Sequence, residues 1–125
     1  MQTRETGSGT LTTLIDLLLG SGKTVVDTAT PHSSSALMKN AVAASKNAIG
    51  FDSIGFVDST VKALSLDGKK ATSATVINKT YGMSRQLYVC TRGKATGINA
   101  MFIDYLRSMD CQNSIVEKEG YVKLS

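Results

Sequence analysis

The feature that most limits the fold is an alternation, along 125 residues, between segments with helical apolar spacing and segments with extended apolar spacing. The segment 11–18 places leucine and isoleucine at the i, i+3, i+4 and i+7 positions of an amphipathic helix, which Gly20 and Gly22 end. The same reasoning predicts helices at 33–44 and 73–81. It predicts two more helices near the end of the chain, the first capped by Thr96 and the second capped by Asp110 and ending at Gly120. Strands are predicted at 24–28, 48–57, 61–68 and 84–91. Such alternation indicates an α/β fold, with helices packed against a mostly parallel sheet.

The helical spacing also predicts which side chains are buried. In the helix at 33–44 we expect an apolar inner face formed by Leu37, Met38, Ala41, Val42 and Ala44. In the helix capped by Thr96 we expect the inner face to be Ile98, Met101, Phe102, Tyr105 and Leu106.

Size and charge exclude several classes of protein. With 42% apolar residues, 125 residues can form one domain with an ordinary core, and a single domain over 1–125 is expected. The net charge of +4 is scattered along the chain, which argues against nucleic acid and suits a small anion. No apolar run is long enough to span a membrane and no signal pattern is evident, so a soluble chain is expected. Two distant cysteines and one histidine indicate neither a zinc site nor any other metal or cofactor.

The segment RETGSGTL (4–11) has the composition of an anion site. The N-terminus of a helix presents unpaired N–H groups and a partial positive charge. Gly7 and Gly9 allow close approach of the backbone, and the hydroxyls of Ser8 and Thr10 add donors. Arg4 adds a full charge and a planar pair of donors. The alternative is that Ser8 only caps the helix and Arg4 is a solvated surface charge.

A second segment, LLLGSGKTVV (17–26), resembles a nucleotide-binding P-loop but does not satisfy its spacing. A P-loop requires glycine at the position of Leu17, and it runs from a strand into a helix. Here the glycines end a helix, where exposed carbonyls disfavour phosphate. We therefore interpret Gly20-Ser21-Gly22 as a helix stop, with Lys23 as a favourable charge near it.

Most of the chain resembles a known family. RETGSGT is similar to the R-x-x-G-S-G-T signature of the phosphate-binding proteins of ABC transporters, the PstS type. The likeness continues, in the family's order and at about its spacing, through SSSALMKNAVAASKNAIGFDSIGFVDSTVKALSLDG (33–68), YGMSRQLYVCTRG (81–93), FIDYLRS (102–108) and IVEKEGYVKL (115–124). Leu11 is a departure, because many members carry arginine directly after the motif; it bears on affinity and ligand choice.

The resemblance implies a fold and a division of the chain. The expected unit is a three-layer α/β sandwich of the periplasmic-binding-protein type 2 class, one of two lobes that close over one phosphate. Residues from about 1 to 80 would form the second lobe, and those from about 81 to 125 would return toward the first. That first lobe, the missing N-terminal lobe, is an expected partner.

The resemblance also implies a site and its surroundings. By position, Arg4, Ser8, Gly9 and Thr10 match the family's phosphate-contacting residues in this lobe, whereas donors and a proton-accepting carboxylate from the first lobe have no counterpart here. Further implied are a membrane permease as partner and an extracellular or periplasmic location, with a lipid anchor in the full-length protein.

The function predicted from the sequence is non-covalent binding of inorganic phosphate, as the solute-binding component of a phosphate transporter, without catalysis. Alternatives are another tetrahedral oxyanion such as sulfate or molybdate, and a P-loop-like enzyme acting on a nucleotide. A third is a lobe that only folds or pairs with another chain.

Overall fold

The elements come from a computed structural model that describes residues 1–124. They divide into two compact units, Met1–Ser84 and a second that begins at Arg85. The first contains β1 (Gln2–Arg4), α1 (Gly9–Leu14, continued by a π-helical run Ile15–Leu19), β2 (Thr30–His32), α2 (Ser35–Ala43), a 3-10 turn (Ile54–Phe56) and α3 (Ser73–Ile77). The second contains α4 (Gly97–Arg107) and α5 (Met109–Cys111, continued by a π-helical run Gln112–Val116). The assignment of these units to the lobes of a larger protein stays a prediction.

The centre of the first unit is a parallel pair of strands. β1 and β2 pair in the register Gln2↔Thr30, Thr3↔Pro31 and Arg4↔His32. Helix α2 contacts both strands, and α1 contacts β1. The buried side chains are those of Thr3, Leu14 and Met38, together with Ser8 at the start of α1. The predicted parallel α/β arrangement is therefore confirmed.

The sheet is smaller than the sequence pattern predicts. The predicted strands at 24–28, 48–57, 61–68 and 84–91 are wrong, because the backbone there forms turns and irregular segments. Apolar alternation favours an extended backbone, but a strand also needs a neighbour with which to exchange hydrogen bonds. In 61–68 the exchange is limited to Leu66 and Lys69, around the predicted turn at Asp67-Gly68, where both residues have positive φ.

The helix positions agree better with prediction than the strands do. Ser34 caps α2 by accepting from the N–H of Leu37. Thr96 lies directly before α4 as predicted, but its side chain makes no capping hydrogen bond within residues 1–124. The last helix is an exception, because its cap is Ser108, whose Oγ accepts from the N–H of Cys111 at 3.2 Å, and not Asp110. Its helical run ends at Val116 and not at Gly120. None of the helices in residues 1–124 is long and apolar enough to span a bilayer.

The predicted inner face of α4 is exposed. Ile98, Met101, Phe102 and Tyr105 are 80%, 71%, 57% and 44% exposed, and we call these four residues the α4 apolar face. Buried side chains of the second unit are those of Cys111 and Gln112. The helix forms where the spacing predicts it, but the described part of the second unit does not bury these four side chains. In α2, Met38 is buried as predicted, whereas Leu37 is 51% exposed.

Candidate anion-binding site

Two strand ends and two helix starts lie at one edge of the parallel pair. β1 ends at Arg4 and β2 ends at His32, its partner in the register. Because the strands are parallel, both carboxyl ends are at the same edge, and each leads within a few residues into a helix. Open α/β sheets bind small ligands outside the carboxyl ends of their strands. This edge is therefore the place to examine for a ligand.

Arg4 is held firmly at this edge. Its Nε donates to the carbonyl of His32 at 3.2 Å, its Nη2 to the carbonyl of Ser33 at 3.3 Å, and its Nη1 to Oγ of Ser35 at 2.9 Å. The next residue extends the contact, since the N–H of Glu5 donates to the same carbonyl of His32. Arg4 is half-buried, and its guanidinium donates to three protein acceptors, so the side chain is held in one orientation.

The Gly-Ser-Gly-Thr segment forms the turn that starts α1. Gly7 has a φ of 94°, in the left-handed region that favours glycine, and the N–H of Ser8 donates to the carbonyl of Glu5. Ser8 is buried, and its Oγ accepts from the N–H of Leu11 at 3.4 Å, so it is the helix cap. Within residues 1–124, the N–H groups of Gly9 and Thr10 donate to no protein acceptor. Two backbone donors are therefore available at the start of α1.

The sequence-predicted residues are brought to one edge, but by different elements. Arg4 ends β1, whereas Gly7, Ser8, Gly9 and Thr10 form the following turn and the first turn of α1. The protein contacts of the Arg4 guanidinium go to 32–35 and not to this turn. A phosphate-binding role for these five residues stays a prediction.

Sequence reasoning missed the partners of Arg4. The triplet Ser33-Ser34-Ser35 lies at the start of the helix predicted at 33–44, and Ser34 caps that helix. His32 is half-buried in β2, with Nε2 2.7 Å from Oε1 of Gln2. The signal that the sequence offered was the run of serines at the start of that predicted helix, because no strand was predicted at 2–4 or 30–32.

The GSGKT segment behaves as the helix stop predicted for it. The N–H of Gly20 closes the π-helical run by donating to the carbonyl of Ile15, and Gly20 and Gly22 have φ of 92° and 77°. The N–H of Lys23 donates to the carbonyl of Gly20. The carboxyl end of a helix disfavours an anion, so this segment is not a phosphate cradle.

Both cysteines and the Asp58 carboxyl are ionisable groups outside the predicted anion-binding residues. Cys90 is exposed and Cys111 is buried, and both are free thiols. Within residues 1–124, no set of three or more His, Cys, Asp or Glu side chains can hold a metal ion. Lys39 Nζ lies 2.6 Å from Oδ2 of Asp58, and this contact, with hydrogen bonds from Thr60, holds the pKa of the Asp58 carboxyl well below its usual range.

Known proteins similar to this chain are phosphate-binding proteins, although no protein-family model matches it. Phosphate-binding protein PstS 2 of Streptococcus agalactiae is 37% identical over 130 residues, covering 97% of this chain. Phosphate-binding protein PstS of Bacillus subtilis is 34% identical over 123 residues, covering 98% of this chain. The chain is a relative of the PstS phosphate-binding proteins.

A solved structure extends the PstS relationship to the fold. A protein from Clostridium perfringens, described as a phosphate ABC transporter substrate-binding protein and crystallised with bound phosphate, superposes with a TM-score of 0.88 at 33% identity. The match covers 98% of this chain and 51% of that protein. The expected α/β lobe is confirmed. The chain spans 44% and 40% of the lengths of the two PstS relatives, less than half of each.

Proposed function

We propose that this chain binds inorganic phosphate non-covalently, as part of the solute-binding component of a phosphate ABC transporter. The observation that carries the proposal is Arg4, fixed at the carboxyl edge of the parallel pair beside the free N–H groups of α1. Relatives named for phosphate binding, and a similar structure with bound phosphate, support the choice of ligand.

The proposed contacts follow from the donors that the protein leaves free. The N–H groups of Gly9 and Thr10 at the start of α1 point away from the helix, where its dipole favours an anion. The hydroxyls of Ser8 and Thr10 can add donors, and Gly7 gives the turn its left-handed backbone. Arg4 contributes charge-assisted hydrogen bonds. No bond in the ligand is made or broken, and we propose no catalysis.

Part of the proposed protein lies outside this chain. We propose that 1–80 belongs to one lobe, and that 81–124 packs against a second lobe formed by the portion of the relatives that this chain does not match. The exposed α4 apolar face supports this, because four large apolar side chains on one helix face are normally covered. We also propose that its partner is the membrane permease of the transporter, and that it acts in the extracellular or periplasmic space.

The test is an NMR titration of the chain with phosphate, and in parallel with sulfate. We expect amide shifts at Ser8, Gly9 and Thr10, with an affinity on the order of millimolar because one lobe leaves the anion partly hydrated. Arg4→Lys should weaken binding, since it keeps the charge and loses the planar pair of donors. Lys23→Ala, which removes a cation at GSGKT, is the matched control.

Several results would contradict the proposal. Amide shifts at 22–24 without amide shifts at 8–10 would show that the anion binds at the GSGKT segment and not at the start of α1. Equal binding by the wild-type chain and Arg4→Lys would show that the arginine fork plays no part. Sulfate binding tighter than phosphate binding would favour a different oxyanion as ligand.

A further inference from the structure

The three acceptors that hold Arg4 all come from residues 32–35, where β2 ends and α2 begins. Two of them are backbone carbonyls, those of His32 and Ser33. The third is the hydroxyl of Ser35, the first residue of α2, and its distance of 2.9 Å is the shortest of the three. Because the bonds leave from three different nitrogens, they fix both the position and the plane of the guanidinium.

None of these acceptors carries a charge. Within residues 1–124 the ion pairs are Lys39–Asp58 and Lys123–Glu117, so no described carboxylate neutralises Arg4. A guanidinium has five N–H donors, and the bonds to protein use one on each nitrogen. One donor therefore remains on Nη1 and one on Nη2. The outcome is an oriented cation whose charge is still available to an anion.

The three consecutive serines have separate tasks. Ser34 caps α2, with its Oγ accepting from the N–H of Leu37 at 3.2 Å. Ser33 offers its backbone carbonyl to Arg4, a contact that substitution of its side chain leaves in place. Ser35 alone offers a side chain to Arg4. The contribution of Ser35 can therefore be removed without deleting the cap or the carbonyl.

We propose that Ser35 is a positioning residue for Arg4: its hydroxyl holds Nη1 so that the two remaining guanidinium donors point at the anion. The proposal rests on the proposed function. An arginine side chain has considerable rotamer freedom, and a group fixed before binding loses less entropy when the ligand arrives. Loss of the hydroxyl releases Nη1, so phosphate must then order the guanidinium itself.

The experiment compares three variants in the complete chain by NMR, with inorganic phosphate as the probe. Ser35→Ala should weaken phosphate binding several-fold, up to about tenfold. Ser35→Thr, which keeps a hydroxyl, should restore most of the affinity. Ser45→Ala is the matched control, because Ser45 is exposed and its hydroxyl makes no hydrogen bond within residues 1–124, and it should bind as the wild type does.

Two further signals separate positioning from a general structural effect. In Ser35→Ala the Nε–H proton of Arg4 should exchange with water faster, in the free protein as well. The amide of Leu37, which reports the start of α2, should be unchanged. A changed Leu37 amide signal together with an unchanged exchange rate of the Arg4 Nε–H proton would show that Ser35 acts only on the helix.

The outcomes distinguish this proposal from the proposed function. If the wild-type chain binds phosphate and Arg4→Lys is weakened, but Ser35→Ala binds as tightly as Ser45→Ala, the positioning role is refuted and phosphate binding stands. If the wild-type chain does not bind phosphate, the proposed function fails, and the positioning role fails with it.

Discussion

Replacing Gly50 with alanine should destabilise the first unit through one steric contact. An ideal Cβ at this position lies 2.9 Å from Cγ2 of Val42 on α2, about 0.5 Å inside the 3.4 Å at which ordinary contact begins. The backbone at 50 has little room to shift, because the same ideal Cβ lies 3.6 Å from both Cβ and the carbonyl oxygen of Gln2, and the N–H of Gln2 donates to the carbonyl of Ile49. Val42 is β-branched and has one strongly preferred helical rotamer, so α2 itself must move away from β1. Overpacking of this kind costs about 1–3 kcal/mol.

Gly82 provides a matched control of the opposite sign. No atom lies within 4 Å of a Cβ at Gly82, and its φ, like that of Gly50, is outside the left-handed region. Alanine there should leave the chain unchanged or stabilise it by about 0.4–1 kcal/mol, because the unfolded chain loses freedom. In urea unfolding, the Gly50→Ala variant should have a midpoint about 1 M lower, because the free energy of unfolding of small proteins falls by about 1–3 kcal/mol per M of urea.

The assay should follow the first unit specifically, through exchange of the Thr30 amide, which donates to the carbonyl of Met1. Equal stability of the Gly50→Ala and Gly82→Ala variants would refute the reasoning, because it would mean that 50 and α2 are not in close contact. A destabilised Gly82→Ala variant would show that the substitution itself, and not the contact, is responsible.

Two further predictions concern stability and pH. Met38→Ala should lower the free energy of unfolding by about 2–5 kcal/mol, because Met38 is only 1% exposed. Leu37→Ala, at a neighbouring residue that is 51% exposed, should lower it far less. Equal losses in urea unfolding would show that Met38 is not buried in the core. The Asp58 carboxylate should stay ionised at pH values well below the usual pKa of Asp. Its contact with Lys39 should therefore persist in mild acid and be lost only as the pH falls through the lowered pKa. Carbon NMR of the side chain follows this titration, and in Lys39→Met the pKa should rise toward its ordinary value; an unmoved pKa would exclude Lys39 as the main cause.

Local features of this fold could be predicted from the sequence, and contacts between distant segments could not. The Ser8 cap and the Gly20 stop depend on hydrogen bonds within a few residues, so residue type and spacing were enough. The partners of Arg4 depend on parallel pairing with a strand 28 residues away, for which the sequence carries no local signal. The α4 apolar face shows the other limit, since spacing identifies the apolar side of a helix but not what covers it.

The pairing of β1 with β2 also sets the order in which the parts of the proposed anion-binding site can form. The turn that presents Gly9 and Thr10 needs only neighbouring residues, so it can form early in folding. Arg4 reaches its position only after a long loop has closed and α2 has docked, a step opposed by chain entropy. Phosphate held by Arg4 would therefore reinforce the latest contacts to form, and its binding energy would appear as slower opening of the parallel pair. An anion held only by Gly9 and Thr10 would leave the opening rate of that pair unchanged.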